Sequence, residues 1–190
     1  RSIEATGSNL LDNPAVKGVV VNLRDITERQ RAEDKIRLSE IHLQELLGLH
    51  RMTASTEKEI LNFTLEASAR SLQSPFAFIG IMSADEAAMT IHAWSKGAME
   101  QCAITEKPMH FPIAEAGLWG EAVRQRRPII VNDYDTSTEF KKGYPKSHVP
   151  IKRFLCIPVF SASRIVAVAA VANKVSEYDE TDISALISLI

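Results

Sequence analysis

Leu155-Cys-Ile-Pro-Val-Phe160, a break at Ser161-Ala-Ser-Arg164, and Ile165-Val-Ala-Val-Ala-Ala-Val-Ala-Asn173 form the stretch on which the fold turns. Two apolar, partly β-branched runs around a short polar break read as neighbouring strands joined by a tight turn, here Ile151–Phe160 and Ile165–Asn173. Working upstream, Tyr134–Pro150 reads as a long polar loop and Ile129–Asp133 as a short strand. Glu115–Arg126 places Leu118, Trp119, Ala122 and Val123 on one helical face and stops at Arg127-Pro128. Lys96–Glu106 reads as loop, followed by an extended segment at Met109–Ile113. Phe76–Met82 and Ala88–Ser95 alternate as a hairpin around Ser83–Ala87, after an amphipathic helix over Glu57–Leu72. Downstream, Asp179 or Thr181 caps a helix running to Ile190. Strands bunched between terminal helices predict an α+β domain, an antiparallel sheet flanked by helices that cover one side of it.

The first third reads differently. Ser2–Leu11 and Val16–Leu23, around Asp12-Asn13-Pro14, predict two antiparallel strands, which alone are marginally stable in water and so read as the end of a larger sheet. From Asp25-Ile-Thr-Glu-Arg29 to about Met52 the chain is charged and free of Pro, with Ile36, Leu43, Leu47 and His50 spaced seven, four and three apart. This predicts one long exposed helix, either a solvated linker or a parallel dimer seam. Neither end carries a start or stop signal, so the sequence reads as a segment of a longer chain.

The 22 Lys plus Arg nearly balance 24 Asp plus Glu, so no global basic field concentrates nucleic acid at the surface. Apolar runs of seven or eight residues are far short of the ~20 a membrane helix needs, and no signal peptide opens the chain. Two cysteines with unlike surroundings form no disulfide framework, and the expected compartment is reducing and cytoplasmic.

Gly18-Val-Val-Val-Asn-Leu-Arg-Asp-Ile-Thr-Glu-Arg-Gln-Arg-Ala-Glu33 resembles the end of a PAS sensor domain, whose ligand-holding part lies upstream of such a strand and helix start. Gly117-Leu-Trp-Gly-Glu-Ala-Val-Arg-Gln-Arg-Arg-Pro-Ile-Ile-Val-Asn-Asp133, with Leu155–Phe160 and Ile165–Asn173, resembles a GAF domain. The resemblances imply a PAS end over residues 1–28, a signalling linker helix over 29–55 and a GAF domain over 56–190. They further imply a sensory segment of a signal-transduction protein, a sensor histidine kinase in a two-component system, homodimeric and acting through a downstream kinase module and response regulator. No phosphorylatable His-box and no ATP-binding motif falls within these residues.

Some GAF sensors hold haem or a tetrapyrrole. Cys156, opposite Leu155 and Ile157 by the period of two, is then either a small buried hydrophobe or a thiol facing a ligand pocket. His92, His110 and His148 are candidate haem ligands, though no pair has metal-site spacing; Trp119, with Trp94, Phe111 and Tyr134, is a candidate apolar wall. Asp133, beside Asn132 and Asp135, offers polar recognition or ordinary turn chemistry, and the arginines and lysines from Arg124 to Arg153 offer an anion site or a solvated face. The family's cyclic-nucleotide binders carry Asn-Lys-Phe-Asp-Glu; Asn173-Lys-Val-Ser-Glu177 matches its first two positions and, one place displaced, its acidic end. Free methionine sulfoxide reductases are the enzymatic alternative, and these need two thiols within reach, Cys102 and Cys156 here.

Overall fold

The structure, a computed structural model, describes residues 1–101, 110–135, 141–142 and 149–190. It divides into two compact units, Arg1–Glu40 and Ile41–Ile190.

In the first unit, β1 (Ile3–Leu10) and β2 (Gly18–Asp25) pair antiparallel from Ile3 opposite Asp25 to Leu10 opposite Gly18. That register puts Ile3, Ala5, Val19, Val21 and Leu23 on one face with Asn9 and Asp25, while Glu4, Thr6, Ser8, Asn22 and Arg24 lie on the other with Leu10 and Val20. The hairpin is as amphipathic as a sheet that packs on something, yet Val21 and Leu23 are more than half exposed. Asp25 then ends the strand and starts α1 (Thr27–His50): its carboxylate accepts from the Thr27 amide at 3.0 Å and hydroxyl at 2.7 Å. These bonds, with Arg1 at 2.8 Å, hold the Asp25 carboxyl below its usual range.

The second unit opens with the last turns of α1 and then α2 (Glu57–Ser71), which begins at a capping box in which Thr56 and Glu59 satisfy each other's backbone amides. Six antiparallel strands follow, in the spatial order β5 (His110–Pro112), β4 (Ala88–Trp94), β3 (Phe76–Met82), β8 (Arg164–Ala172), β7 (Phe154–Ser161), β6 (Ile129–Val131). Gly80 sits at a bulge where any Cβ would run into Met89, itself fully buried, so the glycine is what lets β3 and β4 close over that side chain. Pro158 lies just past the three residues of β7 that β6 covers, where the strand has an open edge and a missing N–H leaves no ladder bond broken.

The α+β class, the antiparallel sheet and the strand pairings expected from the sequence are all present. Two expectations are corrected. Lys96–Gln101 is a short helix, α3, because the buried Ser95 carries its start: its carbonyl accepts from the Met99 amide and its hydroxyl from the Ala98 amide. Its sequence, Lys-Gly-Ala-Met-Glu-Gln, has too few apolar residues to set a helical period. Helices also cover both faces of the sheet. On one face α2 and α5 (Glu180–Leu189) bring Leu65, Leu72 and Leu186 onto Ile79, Leu155 and Ile157; on the other, α4 (Leu118–Gln125) brings Leu118, Ala122 and Val123 onto Phe154, Cys156 and Val168.

Candidate functional site

The α4 face carries the unusual side chains. Because strand residues alternate, one row crosses the sheet on this side from Ile129 through Cys156, Ala170 and Phe78 to Trp94. Its middle is small, Cys156 and Ala170, and its ends are large. Five half-buried aromatics, Phe78, Trp94, Phe111, Trp119 and Tyr134, border the core there. Phe111 and Trp119 meet edge to face with centroids 5.9 Å apart, and Lys141 lies 4.8 Å over the Tyr134 ring. An apolar surface with aromatic walls that stay partly open is the arrangement a small-molecule site uses.

The α4 helix is held in place by its own charges. Glu121, 6% exposed, pairs with Arg124 at 2.7 Å and accepts from Gln125 at 2.7 Å. Arg124 in turn donates to the carbonyls of Ile113, Ala116 and Gly117, which belong to the 3₁₀ turn (Ile113–Glu115) and the start of α4. Burial pushes the Glu121 carboxyl up, but the bonds from Gln125 and Arg124 outweigh it and leave it below the usual range.

Cys156 faces the α4 side, as alternation requires, but it is completely buried. Its Sγ–H points at the Trp119 carbonyl at 4.0 Å, and burial pushes the thiol far above its ordinary pKa. A thiol sealed from water and held back from ionising is a poor nucleophile and a poor iron ligand, and the surroundings of Cys156 are those of a small core side chain. His110 stands exposed on the outer strand, its Nδ1 3.5 Å from the Thr90 hydroxyl. His92 lies in β4, in the row next to Ile91, with its side chain outside the described residues. His148 and Cys102 lie outside the described residues as well. Asp133 accepts from the Asp135 amide at 3.1 Å, closing the turn that follows β6. Among the described residues no group of three or more His, Cys, Asp or Glu side chains could hold a metal ion, and no helix is long and apolar enough to cross a membrane.

A polar cluster forms around Tyr178, which is buried in the core of the opposite face; the sequence reading singled out Asn132 and Asn173-Lys174 but not their partners. The Asn132 side chain grips the Tyr178 backbone on both sides, accepting from its N–H at 2.8 Å and donating to its carbonyl at 3.0 Å. Asn173, in the left-handed region at φ 65°, accepts from the Lys152 amide at 2.7 Å and donates to the Pro150 carbonyl at 2.7 Å. Lys174 forms a two-oxygen pair with Asp182 at 2.7 and 2.8 Å, so its acidic partner is Asp182 of α5 rather than the exposed Glu177. The buried Tyr178 hydroxyl, pushed up to about 12 by its burial, bonds Ser74 at 2.7 Å and accepts from the Lys174 amide at 3.2 Å. The sequence signals were the placement of Asn132 and Asn173, each immediately after a strand, and the match of Asn173-Lys174 to the first two positions of the cyclic-nucleotide binders' stretch.

Residues 54–190 match the family model described as GAF domain. The chain belongs to the GAF domain family. The same fold is found in the GAF domain of a phosphoenolpyruvate-protein phosphotransferase from Coxiella burnetii (TM-score 0.66, 14% identity, 81% of this chain and 88% of that one). It is found again in a free methionine-R-sulfoxide reductase from Neisseria meningitidis solved with its substrate (TM-score 0.62, 14% identity, 80% and 83%). At such identities the likeness is one of fold alone. The GAF domain and the segment before it are also 44% identical, over 183 residues, to a methyl sulfide methyltransferase-associated sensor from Methanosarcina acetivorans. That match takes in 96% of this chain but 18% of the relative, so the chain spans about a fifth of that sensor's length.

Proposed function

We propose that this chain is a sensory segment of a signal-transduction protein, in which the α4 face of the GAF domain binds a small, largely apolar ligand and the flanking helices α1 and α5 pass on the result. The observation that carries this reading is the set of half-buried aromatics around Trp119, set against a closely packed opposite face. Ligand binding acts by favouring one arrangement of the domain over another. The sensor-named relative supports a signalling role. The parent protein is read as a cytoplasmic sensor histidine kinase with a response regulator downstream.

The amphipathic hairpin β1–β2 supports the reading of residues 1–28 as the end of a PAS domain, because its apolar face suits further strands. Exposed Ile36, Leu43 and Leu47, spaced seven and four, support α1 as a parallel homodimer seam.

Haem is the ligand class to test first, supplying a redox- or gas-responsive iron. The aromatic walls suit a flat apolar macrocycle. Cys156 does not fit as its axial ligand, being sealed in the sheet, and exposed His110 sits on the outermost strand. His92 and His148 are the histidines that keep this role, and His148 directly precedes Val149, which is buried on the α4 face. The same burial of Cys156 disfavours a methionine sulfoxide reductase, which needs a reactive thiol.

The test is the absorption spectrum of the protein purified from haem-supplemented growth, before and after mild reduction. A Soret band that shifts on reduction, weakens in Trp119→Ala and His148→Ala, and persists in Cys156→Ala is expected. A colourless protein would remove haem and leave a different small ligand or a domain that only transmits and dimerises.

A further inference from the structure

The segment Asn173–Asp182 sits between two things the GAF domain must connect. On one side are the two ends of the connection from β6 to β7, which place Tyr134, Val149 and Ile151 against the α4-face core. On the other is the first turn of α5, at the opposite face of the sheet. The two ends are joined to each other by the Tyr134 amide donating to the Lys152 carbonyl at 2.9 Å. Each is also tied to the segment by an asparagine side chain: Asn132 to Tyr178, Asn173 to Pro150 and Lys152.

The segment is in turn fastened to α5. Lys174 binds both carboxylate oxygens of Asp182, one of which also accepts from the Asp179 amide at 3.0 Å, while Asp179 caps the helix through the Thr181 and Asp182 amides. Asp182 is 7% exposed and Tyr178 3%, so the Lys174–Asp182 pair is shielded from most of the water, while the cap bond from the Thr181 amide lies at the surface. Strand packing offers no comparable route, because the central strands present separate side chains to the two faces and pack rigidly between them.

We infer that Asn132 and Asn173 form a double clamp that couples the two described ends of the β6–β7 connection, at Tyr134 and at Val149–Ile151, to the N-terminal turn of α5, with the Lys174–Asp182 pair as its last link. A rearrangement of Tyr134, Val149 or Ile151 reaches α5 through these side chains. Removing the clamp leaves both sites in place and reduces their connection to the bonds that Arg153 makes with the Asn173 amide at 2.9 Å and the Lys174 carbonyl at 3.3 Å. The inference rests on the α4 face being the sensing face, but not on which ligand occupies it.

Its test needs no ligand. Val149→Ala perturbs the α4 face from a buried position, and amide hydrogen exchange in peptides covering 179–190 reads α5. The measurement is made in the native background and in Asn132→Ala/Asn173→Gly, where glycine tolerates the positive φ. Val149→Ala is expected to speed exchange in α5 by about threefold or more in the native background, and to add little once both clamps are gone. Equal acceleration in the two backgrounds, or none in the native one, would overturn the coupling while leaving ligand binding at Trp119 untouched. Should the doubly substituted protein not fold, Asn173→Gly alone takes its place, with acceleration reduced rather than abolished. Tyr178→Phe is the complementary control: Asn132 holds the Tyr178 backbone, so the coupling survives loss of the hydroxyl.

Discussion

The two faces of the GAF sheet are made by alternate residues of the same strands, and they differ in what those residues are. Toward α2 and α5 the sheet shows Ile79, Leu155, Ile157, Ala169 and Val171, each nearly or fully buried, and among the described residues none of the half-buried hydrophobics on that face is aromatic. Toward α4 it shows Cys156, Ala170 and Phe78, rimmed by aromatics that keep part of their surface exposed. The aliphatic face is rimmed by aliphatic side chains, whereas the aromatic face is equally buried at its centre, at Met89, Cys156 and Val168, and keeps its exposed surface in the aromatic rim. Strand alternation alone gives one sheet these two different faces.

Substitutions on the two faces should therefore separate stability from binding. The largest effect is expected from Leu155→Ala on the aliphatic face. A completely buried leucine in a packed layer costs about 3 kcal/mol when truncated, read as a lowered urea midpoint with unchanged m-value. Trp119→Ala in the aromatic rim should cost about 1–2 kcal/mol and act mainly on ligand binding. If the two lost stability equally, the contrast between the faces would be wrong.

Cys156→Ala should cost about 1 kcal/mol, the loss of one well-packed sulfur. In the native protein the thiol should react with an aromatic disulfide reagent only as fast as the domain opens, and at once in denaturant. Fast native labelling of Cys156 would mean that the α4 face is open down to the sheet.

The smallest effect concerns pH. Glu121 has a folded pKa below its ordinary 4.5, so its contribution is fully present above that value and is lost as pH falls through the lower folded value. Glu121→Gln should remove this part of the acid dependence, so that native and variant melting temperatures converge as pH drops below about 4.5. Parallel curves down to pH 3 would show that the Glu121–Arg124 pair adds nothing at this position.

The α4 face was legible in part. Alternation through Leu155-Cys156-Ile157 put Cys156 on the side away from Ile157, and the periodicity of Leu118, Trp119, Ala122 and Val123 gave the helix that covers it. The depth at which Cys156 sits was not legible, because alternation tells a residue's face and says nothing of what lies above it. The same limit hid the helices on both sides, since the apolar stripe of a helix does not say which face of a sheet it meets.

What the sequence by itself determined is local: the strands, their turns, a cap at Asp179 or Thr181 that the structure assigns to Asp179, and the stop at Arg127-Pro128 all follow from residues a few positions apart. What the tertiary structure decided is whatever joins distant positions. Asn132 meets Tyr178 across 46 residues and Asn173 meets Pro150 across 23, and nothing in the sequence around either asparagine names that partner. A side-chain amide has no period and few local constraints, so its partner is fixed by the chain crossing there. That is why the core could be read from the sequence and the clamp could not.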